Sequence, residues 1–336
     1  MGRAGTQIRS ILGAALLVGV IAIVVFLPPL AQWAEMNFYV RFATRVMIFA
    51  IAALSLDLVL GHGGMVSFGH AAFVGLSGYV VAILSYHATH EALILGPLSI
   101  AGSQNAFVVW PIAIALTALA AFVIGGISLR TTGLAFIMVT LAFAQMIYFL
   151  VLALRQYGGE EGLSLERRSI LVGINLENRT TFYYFTLATL VACILISRQI
   201  VNSRFGRVLH GCRQNEPRMR SIGFQTYRYK LTAFVISGTM AGVAGILLVN
   251  NEAFISTADL DWFRSADLII MVVLGGMGTL WGPILGAFVW MSTQLVLSSF
   301  TIHWLAIVGP ALVIVVLFAR QGLVNLALPI GRRSPD

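Results

Sequence analysis

The chain has 336 residues, of which 59% are hydrophobic and 10% charged, with a formal net charge of +8 and a mean hydropathy of +0.91. Soluble domains are about 45–50% apolar and about 25% charged, and disordered chains are poorer still in apolar residues, so both classes are excluded. The single lysine, Lys230, follows a tyrosine, which excludes a phosphate-binding P-loop and with it an ATPase site of that kind.

Ten apolar runs predict ten transmembrane helices, since a span takes about 20 residues. In chain order they are Ile11–Leu27, Tyr39–Leu60, Val66–Tyr86, Phe107–Leu129, Gly133–Leu154, Thr181–Ile196, Leu231–Val249, Ala266–Leu280, Pro283–Thr301 and Trp304–Ala319. The first run has the composition of a signal peptide, but no small-x-small cleavage site follows it, which favours a first span. The sequence therefore predicts an all-α integral membrane protein, a polytopic bundle forming a single domain over residues 1–336.

The distribution of basic residues between alternate loops predicts the orientation. If the N-terminus is cytoplasmic, the inner loops and termini carry twice as many arginine and lysine residues as the outer ones. Most aspartate and glutamate residues fall on the outer side. Because cytoplasmic loops are enriched in basic residues, both termini are expected inside, with an even number of spans. The basic excess then needs no nucleic-acid partner.

The apolar runs contain almost no ionisable groups at their centres, which argues against a proton pump, a voltage sensor and a membrane metalloenzyme. An integral-membrane enzyme would also need clustered carboxylates, histidines or a nucleophile–base pair, and no such cluster is visible. His62 and His70 are expected to have no cysteine or acidic neighbour, so no metal site is predicted. The chain is therefore expected to be a passive pore or to take its energy from a partner.

Two similar glycine-rich segments lie between apolar runs, residues 63–69 (GGMVSFG) and residues 275–282 (GGMGTLWG). Glycine allows close backbone approach, and interrupted helices in corresponding halves of a transporter point to its central pathway. The alternative is two tight turns between packed helices. The regions around 61–69 and 275–286 are expected to be broken or re-entrant. Glycine context and polarity give these pathway candidates: Gly63, Gly64, Ser67, His70, Gln145, Gly275, Gly276 and Thr279.

The largest predicted inner loop, about residues 197–230, carries seven arginines. Asn215 is a suitable N-cap, Glu216 and Pro217 suit a first helical turn, and Gly223 suits the C′ position. These signals predict a short helix at about 216–222 that presents Arg218 and Arg220. Composition leaves two interpretations open, an anchor for anionic lipid and a docking site for a cytoplasmic subunit.

Residues 54–73 (LSLDLVLGHGGMVSFGHAAF) resemble the signature of permease subunits of branched-chain amino acid ATP-binding-cassette importers, specifically the LivM-type subunit. Three further segments match in order: residues 158–163 (GGEEGL) in an outer loop of about 155–180, residues 206–233 in the cytoplasmic coupling loop, and residues 274–283 (LGGMGTLWGP). The resemblance covers about residues 45–290. One departure is that Pro217, Arg218, Met219 and Arg220 stand where the family often has small residues.

The resemblance implies a subunit that carries leucine, isoleucine and valine inward across the bacterial cytoplasmic (inner) membrane. It implies as partners two ATP-binding cassette subunits, a second, homologous permease and an extracytoplasmic solute-binding protein. ATP and Mg would be bound by the ATPase partners, and no cofactor by this chain. The coupling candidates are Gly206, Asn215, Glu216, Arg218, Arg220 and Gly223. Import of urea or short amides by the same kind of importer stays an alternative, as does a passive channel.

Overall fold

The computed structural model describes residues 28–29, 36–89, 102–165, 167–171, 175–301 and 303–318. The first predicted span, Ile11–Leu27, lies outside these residues. Within them, all nine other apolar runs form helices, as predicted. Helix is the expected structure, because hydrocarbon offers no partners for main-chain N–H and C=O groups and a helix satisfies both internally.

The helices of the described residues are α1 (Asn37–Asp57), α2 (His70–Thr89), α3 (Ala106–Ser128), α4 (Leu134–Ala153), α5 (Arg179–Asn202), α6 (Arg204–Gln214), α7 (Glu216–Ser221), α8 (Thr226–Glu252), α9 (Trp262–Gly275), α10 (Gly282–Phe300) and α11 (Trp304–Phe318). A π-helix, Leu58–His62, continues α1 without a break. Short 3₁₀ turns cover Arg155–Tyr157 and Thr257–Asp259, and strands β1 (Leu163–Ser164) and β2 (Phe254–Ile255) pair antiparallel.

Seven helices of the described part are long and apolar enough to cross a membrane: α1 with its π-helix, α2, α3, α4, α5, α8 and α10. Helices α9 and α11, with 14 and 15 residues, are shorter. At 1.5 Å per residue α9 is about 21 Å long, against a hydrocarbon thickness of about 30 Å. The described chain is thus a polytopic helical bundle with at least one partial crossing.

Helices α1 and α8 form the centre of the bundle. In the most apolar window of α1, 89% of the residues are buried, against 22% in α5. Small residues let the helices touch: Gly238 of α8 faces Phe73 of α2 and Ala121 of α3, and Gly242 faces Thr117 of α3. A Cβ at either glycine would press on these side chains, which confirms that the small-residue pattern marks close helix contacts.

The two ends of α8 give names to the two ends of the bundle. At the Lys230 end lie Asp57 and helices α6 and α7. At the Glu252 end lies Arg41, near the start of α1, whose Nη2 is 2.5 Å from a carboxylate oxygen of Glu252. The chain is interrupted after α1 and its π-helix, at residues 63–69, and between α9 and α10, at residues 276–281.

Candidate functional site

The two glycine-rich segments meet at the Lys230 end of the bundle. Oδ1 of Asp57 accepts a hydrogen bond of 2.8 Å from the backbone N–H of Gly278. A Cβ on Gly61 would overlap both the Asp57 carboxylate and the Gly278 amide. Gly278 itself has φ +77°, a conformation that favours glycine. The segments therefore touch backbone to backbone, and glycine is required at both contact positions.

Arg213 of α6 connects the basic segment to the first glycine segment. Its guanidinium donates a hydrogen bond to the carbonyl oxygen of Gly61, and its Cγ would lie 2.7 Å from a Cβ placed on Gly64. Asp57 lies on the other side of the same turn. Its Oδ2 is 3.5 Å from Nδ1 of His62, so the expectation that His62 has no acidic neighbour is wrong. One turn of backbone thus joins α1, α6 and the second glycine segment.

A buried polar chain lies one helical turn further into the bundle. Nε2 of His70 is 2.7 Å from Oγ of Ser237, and Nδ1 is 3.1 Å from Oγ of Ser67. Ser237 donates its own hydroxyl hydrogen to the carbonyl oxygen of Ser55. It must therefore accept from His70, which is neutral with the hydrogen on Nε2. With all three side chains fully buried, His70 acts here as a cross-link between α1, α2 and α8.

Side chains from two other helices satisfy backbone donors where α2 begins. The N–H of Phe68 donates to Oγ1 of Thr140 on α4 at 3.3 Å, and the N–H of Ala71 donates to Oγ of Ser265 on α9 at 3.0 Å. The first N–H groups of a helix have no partner within the helix, so buried ones need outside acceptors. The start of α2 is therefore fixed to α4 and α9.

A cleft of about 510 Å³ opens beside the first glycine segment. Three stretches line it: residues 63–66, the connection at 129–134 with the start of α4, and the basic segment at Cys212, Arg213 and Glu216, together with Lys230. The pathway candidates Gly63 and Gly64 and the coupling candidate Glu216 therefore line one cleft. Ser67 and His70 lie above it in the buried polar chain.

Glu216 is the centre of a charged cluster at the rim of this cleft. Its carboxylate pairs with Lys230 and accepts hydrogen bonds from Nη2 of Arg220 at 2.7 Å and Oγ1 of Thr226 at 3.0 Å. Partial burial raises the pKa of Glu216, but the hydrogen bonds from Lys230 and Arg220 outweigh it and hold the pKa below its usual value. The carboxylate is therefore ionised at neutral pH and fastens α7 to α8.

The short helix predicted at about 216–222 is confirmed as α7. Oδ1 of Asn215 accepts from the N–H of Arg218 at 3.0 Å, which is the N-cap bond. Pro217 stands in the first turn. Gly223 has φ +96°, and the N–H of Phe224 donates to the carbonyl oxygen of Met219, as expected of a glycine that ends a helix. Arg218 is exposed, whereas Arg220 is held by Glu216.

Helix α6 fills most of the remaining basic segment, and the sequence analysis did not predict it. Its buried residues Val208, Leu209 and Cys212 follow the helical spacing of three and four, which is the signal that could have revealed it. Gly206 sits where a Cβ would overlap the carbonyl oxygens of Ile200 and Val201 at the end of α5. The coupling candidate Gly206 therefore permits the sharp turn from α5 into α6.

The remaining pathway candidates lie elsewhere. Thr279 donates to the carbonyl oxygen of Gly276 at 2.8 Å and accepts from the N–H of Gly282 at 3.0 Å, so it closes the turn between α9 and α10. Gly275 packs against the backbone of Gly282. Gln145 on α4 donates to Oδ1 of Asp261 at 3.3 Å, away from the cleft. The structure thus does not bring these residues to the cleft, and their part in the pathway stays a prediction.

Two residues of the site were missed, Asp57 and Arg213. Asp57 is the one acidic residue in the run Tyr39–Leu60, and a fully buried carboxylate in such a run needs a partner. Arg213 was counted only as one charge of a basic loop. No group of three or more His, Cys, Asp or Glu side chains lies together among the described residues.

Comparison with known proteins adds a family. The model described as "branched-chain amino acid transport system / permease component" matches residues 38–319. The chain is similar to the high-affinity branched-chain amino acid transport system permease proteins LivM of Salmonella typhimurium and Escherichia coli. Each is 27% identical over 314 residues, which cover 86% of this chain and 71% of the relative. These similarities confirm the resemblance seen in the four sequence segments.

A more distant relative is the probable branched-chain amino acid transport permease protein LivM of Methanocaldococcus jannaschii. It is 24% identical over 278 residues, which cover 75% of this chain and 79% of the relative. No solved structure matches the chain significantly. The matched region contains both glycine-rich segments, the cleft and the basic segment between α5 and α8.

Proposed function

Because the chain belongs to the family of branched-chain amino acid transport system permease components, we propose that it is the membrane-spanning subunit of an ATP-binding-cassette importer that moves leucine, isoleucine and valine inward. The observation that carries the proposal is the hydrogen bond from Arg213 of the basic segment to the carbonyl oxygen of Gly61. It connects the segment that would contact an ATPase directly to the meeting point of the two glycine-rich segments.

The proposed complex contains two ATP-binding cassette subunits, a second, homologous permease and an extracytoplasmic solute-binding protein. ATP and Mg belong to the ATPase partners, and this chain contributes no catalytic residue. Helix α7 is the proposed docking helix, since Arg218 is exposed on it and the Glu216–Lys230 pair fixes it to α8. Movement of α7 would then pass through α6 and Arg213 to the glycine-rich segments.

The proposed location is the bacterial cytoplasmic membrane, with both termini inside and about ten spans in one permease domain over residues 1–336. Under this orientation the Lys230 end faces the cytoplasm and the Glu252 end faces outward. Seven spanning helices and the partial crossing of α9 support a multi-pass protein. The proposed inner mouth of the pathway is the cleft beside Gly63 and Gly64.

The experiment is a gentle-detergent pull-down of the tagged chain from its native membrane, with mass spectrometry of the proteins that accompany it. We expect two ATPase subunits and a second permease, and ATP-dependent uptake of leucine once the binding protein is added to the reconstituted complex. Isolation of the chain alone, with solute flux through liposomes in the absence of ATP, would establish the passive channel instead. Uptake of urea or a short amide in place of leucine would change the substrate class.

A further inference from the structure

A second cavity lies at the Glu252 end, far from the glycine-rich segments. It has a volume of about 180 Å³, which is the share of about six water molecules in the liquid. Helices α1, α5 and α8 and the connection at 167–171 supply its walls. The polar residues that line it are Arg41, Thr44, Arg168, Arg179, Asn251 and Glu252.

Positive charge exceeds negative charge around this cavity. Three arginines line it against one carboxylate, that of Glu252. Glu252 is already engaged, because Nη2 of Arg41 lies 2.5 Å from its Oε2 and Nε of Arg45 lies 3.7 Å from its Oε1. Arg168 and Arg179 therefore have no carboxylate partner among the residues that line the cavity.

The guanidinium group of Arg168 is held in place before any ligand arrives. Its Nη1 donates to the carbonyl oxygen of Leu176 at 2.9 Å, and its Cζ stands 5.1 Å from the centre of the Phe182 ring. Burial lowers the pKa of Arg168, and the positive charges of Arg179 and Arg41 add to the effect. An anion placed between these groups would relieve their repulsion, and a carboxylate can accept two parallel hydrogen bonds from one guanidinium.

Hydrogen-bond acceptors stand beside the arginines. The carboxylate of Glu252 keeps unused lone pairs beyond its contacts with arginine, and the side chain of Asn251, which donates to Oε1 of Glu252 at 3.2 Å, also carries a carbonyl oxygen. Thr44 and Asn251 are buried at the base, whereas Arg179 is exposed at the rim. The cavity thus places a positive rim and acceptors suited to an ammonium group within one small volume.

We propose that this cavity binds a small free amino acid, with Arg168 and Arg179 on its carboxylate and with Glu252 and Asn251 facing its ammonium group. This inference rests on the proposed function, which makes the Glu252 end the outer side and an amino acid the substrate. The cavity would then hold the substrate at the outer side, before the pathway.

The test uses the full chain in lipid nanodiscs, without partners, and radiolabelled L-leucine at about 1 mM. We expect saturable binding that isocaproate displaces and that L-leucinamide, which lacks the carboxylate, does not. Arg168→Gln and Arg179→Gln should each weaken binding by about tenfold, the loss of one charge-assisted pair. Arg167→Gln is the matched control, since Arg167 is an exposed neighbour that does not line the cavity. Arg179→Gln also guards against misfolding, because Arg179 makes no hydrogen bond or ion pair with any described residue.

Absence of saturable binding, equal binding by the Arg179 variant, or displacement by leucinamide as effective as by isocaproate would overturn the inference. It would also be overturned if the arginines affected only the affinity of the binding protein for the assembled complex, since they would then contact acidic side chains of that protein. ATP-driven leucine uptake by the wild-type complex separates the two levels of failure. If uptake persists while the cavity binds nothing, the inference alone fails, and if uptake is absent, the proposed function fails.

Discussion

The carboxylate of Asp57 and the backbone N–H of Gly278, 221 positions apart in the chain, form a hydrogen bond at the point where the two glycine-rich segments meet. Asp57 is 1% exposed, so its charge is accommodated only by the groups that surround it. The bond therefore ties the end of α1 to the break between α9 and α10.

Substitution of Asp57 by alanine should destabilise the chain. It leaves the Gly278 N–H buried without an acceptor, which costs about 1–3 kcal/mol. Asp57→Asn keeps an acceptor oxygen at nearly the same position and should lose less. Thermal unfolding of the purified variants in detergent measures the difference, and equal midpoints for the alanine and asparagine variants would contradict the role given to this bond.

Gly61→Ala should prevent the two glycine-rich segments from meeting. The added methyl group would overlap the Asp57 carboxylate and the Gly278 amide, and backbone cannot yield as a flexible side chain can. We expect loss of leucine uptake by the assembled complex. Gly126→Ala is the control, because a Cβ there meets only Oη of Tyr227, at 3.8 Å. The interpretation fails if both variants transport alike.

Arg213→Gln should uncouple ATP hydrolysis from uptake while leaving the fold intact. The side chain is largely exposed, but its guanidinium bonds the Gly61 carbonyl. Without that bond, movement of α6 no longer reaches the glycine-rich segments. ATPase activity and leucine uptake of the same proteoliposomes give the ratio to compare. Arg207→Gln, a change at another exposed arginine of α6, should keep the wild-type ratio.

Charge reversal at Arg218 and Arg220 together should uncouple hydrolysis from uptake, and the single variants should separate two causes. Arg220 pairs with Glu216 within the chain, so Arg220→Glu weakens the attachment of α7 to α8. Arg218 has no such partner among the described residues, so Arg218→Glu should weaken ATPase association alone, more strongly at low ionic strength. Co-purification of the ATPase at two salt concentrations checks this. Undiminished ATPase activity and uptake in the double variant would refute the docking role of α7.

Acid should loosen the same cluster. The pKa of Glu216 is below 4.5 in the folded chain, so below that value the unfolded chain binds the extra proton first and stability falls. The contribution of Glu216 is fully present at neutral pH and disappears as the pH drops through its folded-state pKa. Unfolding midpoints measured from about pH 7 downward should therefore decline less in Glu216→Gln than in the wild type. Parallel declines would show that other carboxylates dominate.

Much of this fold was predictable from local signals. Long apolar runs gave the spanning helices, and Asn215, Pro217 and Gly223 gave both ends of α7, because caps and turns depend on neighbouring residues. Local signals also suggested that the glycine-rich segments interrupt the helices. The paired motifs were correctly singled out because glycine there permits contacts that any side chain would block.

The contacts that join distant parts of the chain were not predictable. Nothing near Asp57 indicates Gly278, and nothing near Arg213 indicates the carbonyl of Gly61, since each bond depends on how whole helices pack. The same holds for Glu216, whose N-terminal position was predicted but whose pairing with Lys230 needed α8 in place. His70 was weighed as lining the pathway or as structural, and only its distances to Ser67 and Ser237 show the buried cross-link.

The π-helix at Leu58–His62 has a consequence for how the length of this chain can change. Its five-residue hydrogen-bond spacing accommodates one residue more than an α-helical turn of the same rise. Deletion of one residue there would restore regular α-helix and rotate everything that follows by about 100° relative to α1. Gly61 would then turn away from Gly278, and Asp57 would remain without its partner. Insertions and deletions are therefore ruled out in this stretch even where exchanges of one apolar residue for another are tolerated.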